Sequence, residues 1–360
     1  MEPIVIQTPK GKKKIGPGEP CFIIAEMSVN HQQNYEQAAE IVRAAARSGA
    51  DAIKVQTFTP ESLTIDSDKR WFTQRSQDNP AEWGGQTLYQ LYQKATMPWE
   101  WQPKLQKIAH EEGIVFFSTP QDQASVDFLE TLQVPCYKVA SYEAVDISLL
   151  HMVARTKKPV ILSVGFATQD EIKEAVQALR SGGGGDIALL HCLTSYADNS
   201  DYVTANLRTM QDLQKQYGVV VGFSDNNGGI EIPVMAVTAG AAIVEKHLVL
   251  EHGTGALDDR FSLSVDEFGE MVKRIRRAEA ILGAVHYGPQ NDFEKQNLYF
   301  RRSLFVVEAI KKGEVFTLKN VRSIRPSHGL PPSELDKIIG KTAACDIERG
   351  TPLNWEIVSR

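Results

Sequence analysis

Val219–Leu250 reads VVVGFSDNNGGIEIPVMAVTAGAAIVEKHLVL. Two apolar runs rich in β-branched residues, Val219–Phe223 and Ala241–Val244, flank a segment where Ile232, Val234, Met235, Val237 and Thr238 recur at helical spacing. The pattern predicts a strand–helix–strand unit whose strands are buried on both faces. Each strand gives way to polar groups, Ser224-Asp225-Asn226-Asn227 after the first and Glu245-Lys246-His247 after the second. In a parallel α/β barrel such residues gather at the carboxyl mouth, where active sites lie.

The same alternation fills the preceding chain. Predicted strands at Cys21–Ala25, Ala50–Val55, Ile114–Phe117, Cys136–Ala140, Pro159–Leu162 and Ile187–Leu190 alternate with helices over about Tyr35–Ser48, Glu100–Glu112, Gln123–Leu132, Ile147–Thr156, Gln169–Ser181 and Thr204–Tyr217, and Val265–Leu282 closes the series. Units of roughly 25–35 residues, eight strands and eight helices in all, fit a (β/α)₈ TIM barrel; an open doubly wound sheet rarely needs so many. A hairpin within residues 1–18 is expected to plug the barrel floor. The insertion Thr59–Pro98, with Trp71, Trp83 and Tyr89, reads as an ordered lid, its tryptophans packing. The glycine tract Gly182–Gly185 has no following Lys-Ser/Thr and reads as a flexible connector, not a phosphate cradle. The barrel is assigned to 1–285 and a linker to 286–298. Residues 299–360 change to short β-runs and form a small β-rich domain, in which Ile310-Lys-Lys-Gly313 is echoed by Ile347-Glu-Arg-Gly350.

Composition excludes several classes. With 42% hydrophobic and 23% charged residues and a net charge of -6, the 360-residue chain reads as an ordinary globular protein without a nucleic-acid footprint. The basic run Lys10–Lys14 is taken as a solvated hairpin tip. No apolar run is long enough to span a membrane and the N-terminus lacks a signal-peptide pattern. Cys21, Cys136, Cys192 and Cys345 form no CxxC pair, so reduced thiols and a cytoplasmic location are expected.

The residues at the strand ends are Glu26, Lys54, Gln56, Ser118, Thr119, Lys138, Ser141, Glu143, Ser163, His191, Tyr196, Ser224, Asp225, Asn226, Glu245 and His247. Lysines with serine hydroxyls make a phosphate or carboxylate site. Lys54 and Lys138 interrupt apolar strands, where an unpaired ammonium is costly, so they should face an anion in the mouth. Glu26 and Glu143 supply acid–base groups or hold sugar hydroxyls. A single strand-end serine serves equally well as a helix cap. His191 reads evenly as ligand or core residue.

These residues resemble the sialic acid (nonulosonic acid) synthase family. The motifs are Phe22-Ile-Ile-Ala-Glu26, Asn30-His31, Gly49-Ala-Asp-Ala-Ile-Lys54-Val-Gln56, Phe117-Ser-Thr-Pro120, Tyr137-Lys-Val-Ala-Ser-Tyr-Glu143, Gly222-Phe-Ser-Asp225 and Glu245-Lys-His247. The C-terminal segment is similar to the family's antifreeze-like SAF domain. Leu88-Tyr-Gln-Leu-Tyr and Met97-Pro-Trp-Glu-Trp101 lean towards the pseudaminic acid synthases. The resemblance implies condensation of phosphoenolpyruvate with an open-chain N-acetylated amino-hexose, giving a nine-carbon acid and phosphate. It implies that Lys54, Thr119, Lys138, Ser141, Ser163 and Ser224 hold phosphoenolpyruvate, that Gln56, Glu143 and Tyr196 contact the sugar, and that Glu26 lies at the reacting centre. In a domain-swapped homodimer, Arg325 would reach the sugar in the partner's barrel.

The resemblance also implies a divalent cation, Mn²⁺ or Mg²⁺, on two histidines with an acid nearby. His247 matches one histidine and Asp258 the acid, but Asn226 stands where the other is expected. A neutral amide is the poorer transition-metal ligand. Tyr196-Ala-Asp-Asn199 and Thr194 also depart from the family pattern. Alternatives are an N-acetylneuraminate or legionaminate synthase, a catalytically impaired sugar-binding homologue, or a phosphoenolpyruvate aldol enzyme acting on phosphorylated sugars.

Overall fold

The computed structural model describes residues 2–73, 85–196 and 202–359. The chain forms two compact units, Met1–Gly283 and Ala284–Arg360.

In the first unit β1 (Ile4–Thr8) and β2 (Gly11–Ile15) pair antiparallel. Alternation buries Ile4, Ile6 and Ile15 in the barrel core and leaves Lys12 and Lys14 outward. Of the basic run, Lys10 lies exposed in the hairpin turn, while Lys12–Lys14 belong to the strand rather than to its tip. Lys13 is half-buried and pairs with Asp51, which precedes the second barrel strand and also accepts from the Ile23 amide and the Arg276 guanidinium. The hairpin thus closes the amino end of the barrel.

Strands β3 (Phe22–Glu26), β4 (Ala52–Thr57), β5 (Val115–Pro120), β6 (Tyr137–Val139), β7 (Val160–Ser163), β8 (Ile187–Leu193), β9 (Val220–Asp225) and β10 (Ile243–His247) form a closed barrel, β10 pairing with β3, with parallel ladders throughout. Around it run α1 (Tyr35–Arg47), α2 (Pro60–Leu63), α3 (Leu88–Ala95), α4 (Gln102–Glu111), α5 (Gln123–Thr131), α6 (Ile147–Arg155), α7 (Gln169–Ser181), α8 (Arg208–Tyr217), α9 (Glu231–Thr238) and α10 (Val265–Leu282). Caps set several starts: Asn34 accepts from the Gln37 amide, and Ser264 with Glu267 forms a capping box on α10, each worth about 1 kcal/mol. Most of the strands run further than apolar patterning predicts, β4 to Thr57 and β5 to Pro120 among them. His191, Cys192, Ser224, Asp225 and Glu245–His247 lie within strands, because backbone ladders continue whatever the side chain.

Other expectations change as well. Three of the four glycines of the tract are close-packed: a Cβ at Gly182 would lie 2.6 Å from Ala154 Cβ, one at Gly184 2.7 Å from the Leu179 carbonyl oxygen and one at Gly185 2.7 Å from the Lys157 carbonyl oxygen, while Gly183 is open. Trp71 is exposed and stacks under the Arg70 guanidinium; Trp83 lies outside the described residues. His191 is a core residue, its Nε2 2.9 Å from the Ala205 carbonyl oxygen. Cys21, Cys136 and Cys192 are buried thiols and Cys345 is exposed. Among the described residues no helix is long and apolar enough to cross a membrane.

His31 offers a stability probe. It is buried, packs edge-on against Trp101 at 5.9 Å and accepts the Gln33 amide at Nδ1. Burial pushes its pKa down to about 4, with the Ala95 backbone opposing. The fold therefore favours the neutral ring. That stabilisation is complete above the unfolded-state value near 6.5 and is lost as pH falls towards 4, amounting to about 3 kcal/mol. Urea unfolding from pH 7 to 4 is expected to show that loss in the wild type and a correspondingly shallower slope in His31→Asn. Parallel slopes would remove His31 from the account.

The second unit begins with α11 (Asp292–Asn297), inside the stretch expected as a linker. β11 (Ser303–Val306) and β12 (Val321–Ile324) pair antiparallel, and α12 (Leu335–Ile338) follows. The two I-x-x-G elements meet: Ile310 and Ile347 exchange both backbone hydrogen bonds, at 2.9 and 2.8 Å. Gly313 and Gly350, at φ 85° and 90°, turn the chain after each, which explains glycine at both places. Leu304, Val306, Phe316 and Leu353 join the two isoleucines in the core.

Candidate active site

A cavity of about 550 Å³ opens at the carboxyl ends of the barrel strands, a usual size for a small-molecule site. Its lining includes Glu26, Lys54, Gln56, Thr119, Lys138, Ser141, Glu143, Ser163, Tyr196, Ser224, Asn226, His247 and Asp258. The barrel residues that the family resemblance assigns to the site thus line one space, whereas Ser118, His191 and Asp225, also gathered at the strand ends, do not line it. Arg325 lies in the second unit, exposed, just after β12.

Register explains the clustering. Glu26 is paired in the ladders with Lys54 on one side and His247 on the other; Gln56 pairs with Thr119, and Ser224 with Glu245. Strand periodicity then turns Lys54 and Gln56, Ser224 and Asn226, Glu245 and His247 to the same side. The residues between them face outward. Asp225 and Lys246, both fully buried, pair at 2.8 Å behind the strands, so Asp225 is structural. Ser118 likewise turns away from the mouth, bonding Thr57 at 2.6 Å and the Val55 carbonyl.

The floor holds two cations and two carboxylates. Lys54 Nζ lies 2.7 Å from Glu26 Oε2, 3.6 Å from Glu245 Oε1 and 3.2 Å from Thr119 Oγ1. Lys138 donates to Ser163 Oγ at 2.7 Å and sits 4.0 Å from Glu245 Oε1. Burial works against the Lys54 charge, but Glu245 and Glu26 together outweigh it and raise its pKa. Lys138 has less compensation, and burial pulls its pKa down despite Glu245. Burial raises Glu26 against the opposing pull of Lys54. Glu245 faces both lysines, and its Oε2 is buried with no hydrogen-bond partner.

The polar wall is a chain of hydrogen bonds. Gln56 donates to Glu26 Oε1 and Ser28 Oγ, both at 3.0 Å, and Ser28 donates to Asp258 Oδ2 at 2.6 Å. Burial raises the Asp258 pKa to about 7, with the Ser28 hydrogen bond opposing. Glu143 is raised by burial against Lys138, and its Oε2 is buried and unpartnered. Tyr196 shares a hydrogen bond with Tyr142 and packs on Phe261 at 5.0 Å. Residues 197–199 of the departing Tyr-Ala-Asp-Asn stretch lie outside the described residues; Thr194 lines the cavity. Ser28 and the insertion residues Leu88, Leu91 and Tyr92 were not anticipated here, and Glu245 was gathered at the mouth without a role. The two-residue period linking Glu245 to His247 is the signal that places it.

This arrangement has relatives. The sequence profile of the NeuB family matches residues 41–287, and that of the SAF domain matches 301–358. The chain belongs to the NeuB family. It is 40% identical over 334 residues to a pseudaminic acid synthase of Campylobacter jejuni, covering 92% of this chain and 95% of that protein. A pseudaminic acid synthase of Helicobacter pylori is 36% identical, with 95% and 99% covered. Among solved structures, the N-acetylneuraminic acid synthetase of Leptospira borgpetersenii in complex with citrate superposes with a TM-score of 0.70 at 30% identity, covering 80% of this chain and 93% of that one.

The donor set does not fit the two-histidine cation centre that the family resemblance implies. His247 Nδ1 is buried without a hydrogen-bond partner and lies 3.7 Å from Asp258 Oδ2. Asn226 contributes only a carboxamide, whose nitrogen donates to Cys192 Sγ at 3.5 Å. Among the described residues no group of three His, Cys, Asp or Glu side chains is placed to hold a metal. Imidazole is the stronger ligand for first-row metals. Asn226→His is therefore expected to tighten Mn²⁺ binding by at least about tenfold in calorimetric titration. Equal affinity in wild type and variant would show that position 226 does not set it.

Proposed function

We propose that this protein condenses phosphoenolpyruvate with an open-chain N-acetylated amino-hexose of the pseudaminic type, forming a nonulosonic acid and phosphate. The observation that carries the reading is the floor, where buried Lys54 and Lys138 flank Glu245 and are edged by Thr119, Ser163, Ser141 and Ser224. Fixed donors of this kind suit a substrate that brings a carboxylate and a phosphate and whose charge moves during reaction.

Phosphoenolpyruvate would take over from Glu245 as counter-charge to the lysines. Its negative charge would raise the already elevated Glu26 further, so that Glu26 carries a proton. The enol carbon then forms a bond to the aldehyde carbon, and the carbonyl electron pair moves to the aldehyde oxygen, which takes the Glu26 proton. Water adds to the cationic carbon left behind and gives its proton to Glu26. The tetrahedral intermediate then collapses: its C–O bond to phosphate breaks as the new hydroxyl becomes the ketone, and phosphate leaves with the hydroxyl proton. Gln56, Glu143, Tyr196 and Asp258 would hold the sugar hydroxyls and N-acetyl group. No step is routed through a metal, since Asn226 leaves the donor set short of an imidazole. The proposal includes a domain-swapped homodimer in which Arg325 of a second copy completes the sugar site; sedimentation as a monomer would remove that part.

Phosphate release with phosphoenolpyruvate and a panel of acylated mannosamine- and altrose-type sugars tests the reading, with and without EDTA. Release should require both substrates. Absence of release across the panel, with Mn²⁺ and Mg²⁺ varied, would sink it. Asn226 also favours a second reading, a sugar-binding homologue that no longer turns over; phosphoenolpyruvate binding without product would support that instead.

A further inference from the structure

The segment between β10 and α10 carries Leu257 and Asp258 into the cavity, and an imidazole on its outer side ties it down. His252 Nδ1 lies 2.6 Å from Asp259 Oδ1, and its Nε2 lies 2.9 Å from Glu267 Oε2. The two nitrogens point in different directions, so the ring bridges two carboxylates and shares no ion with them. Only the imidazolium has a proton on each nitrogen; a neutral ring would turn a lone pair towards one of the carboxylates. Burial opposes the charge, but Glu267 and Asp259 outweigh it and raise the His252 pKa above its ordinary value.

Both carboxylates are fixed in turn. Asp259 Oδ2 accepts the Gly253 amide at 2.7 Å, which folds the loop back on itself. Glu267 Oε2 accepts the Ser264 amide and hydroxyl at 2.9 and 2.8 Å within the α10 capping box, and the buried Lys246 ammonium of β10 feels its charge. Gln32 Nε2 holds the loop from the other side, donating to the Thr254 carbonyl and hydroxyl at 3.1 and 3.0 Å. From Asp259 the tie passes to its neighbour Asp258, whose Oδ2 accepts from Ser28 in the polar wall. His252 itself is half-exposed and does not line the cavity.

We infer that His252 is a positioning residue of the site: by bridging Asp259 to Glu267 it clamps the loop after β10 onto the start of α10, and so sets Asp258 in the sugar-binding wall. The inference rests on the synthase reading, which gives Asp258 its sugar contact, and adds a pH dependence to it. The clamp is complete while the ring is protonated, below the unfolded-state value of about 6.5, and is released as pH rises through the raised value. Release frees the loop and leaves Asp258 on the Ser28 hydrogen bond alone among its side-chain ties. Affinity for the sugar therefore falls on the alkaline side, while the lysine floor that takes phosphoenolpyruvate is untouched.

The test follows the sugar KM of the wild type, His252→Arg and His252→Ala from about pH 6 to about pH 9. In the wild type it is expected to rise by about tenfold, the usual cost of one misplaced charged hydrogen bond. A guanidinium stays charged and offers donors to both carboxylates, so His252→Arg should keep a low, flat KM. His252→Ala should show the high value already at the acid end, and kcat at saturating sugar should differ little among the three. Glu143 and Asp258 titrate in all three proteins, so the difference between wild type and His252→Arg isolates the clamp. Identical KM profiles in wild type and His252→Arg would overturn the inference, as would a His252→Ala protein with the wild-type KM. Should His252→Ala fail to fold in a thermal melt, the arginine variant still decides. A wild type releasing no phosphate at any pH removes the synthase reading itself; NMR titration of the His252 ring then still reports the bridge, which separates the two failures.

Discussion

Lys138→Met is expected to lower kcat/KM for phosphoenolpyruvate by at least about a thousandfold while the protein still folds. Lys138 is 2% exposed, so its alkyl chain is part of the barrel interior and methionine conserves most of that packing. What the substitution removes is the ammonium that donates to Ser163 at 2.7 Å and faces Glu245 at 4.0 Å. Loss of a single preorganised donor at a developing charge commonly costs 10²–10³ in rate, and loss of a full counter-charge to a multiply charged substrate adds to it. Stability should move the other way or little, because burial already works against the Lys138 charge. Rapid-quench phosphate assays beside a melting curve separate the effects. A variant with near-normal kcat/KM would take Lys138 out of the anion site; a collapsed melting curve would make it structural.

Much of this site can be read from strand periodicity, provided the parity is followed. Lys54 and Gln56, Ser224 and Asn226, Glu245 and His247 are two apart and share the cavity, whereas Asp225 and Lys246 between them pair behind the sheet. Gathering polar residues at strand ends without that parity mixes Ser118 with Thr119 and Asp225 with Ser224. Strand ends are less legible: β8, β9 and β10 continue through polar residues because the ladder depends on the backbone. The insertion is harder still. Leu88, Leu91 and Tyr92 of α3 lie in a polar segment, and only the placement of the helix shows that they line the cavity. The glycine tract misleads for a related reason. Glycine permits a loose connector, but it also permits the close approach of Gly182 to Ala154, and only neighbours distant in sequence decide between them.

Glu26→Gln tests the other half of the chemistry, and kcat is expected to fall by about 10²–10⁴, the usual contribution of a positioned acid–base group. Glutamine keeps the shape. Its one carbonyl oxygen can accept from Lys54 in place of Oε2 while its NH2 takes the place of Oε1, where Gln56 must turn its own amide oxygen towards it. Phosphoenolpyruvate binding should survive. It cannot deliver a proton to the aldehyde oxygen or take one from water. Glu26 is 1% exposed, and burial raises its pKa while the Lys54 ammonium, 2.7 Å away, pulls the other way. A raised value means that the proton-bearing form persists to higher pH than for an ordinary carboxylate. Wild-type kcat should therefore decline on the alkaline side as that proton is lost, and the residual rate of Glu26→Gln should lack this decline. Lys54 makes the counter-argument concrete. If Glu26 served only to hold that ammonium, Glu245 at 3.6 Å would remain to do so, and the variant would show a weaker affinity for phosphoenolpyruvate with kcat nearly intact. Single-turnover rates at saturating substrates decide between the two: a lost chemical step identifies an acid–base group, and a preserved one leaves Glu26 as a counter-ion.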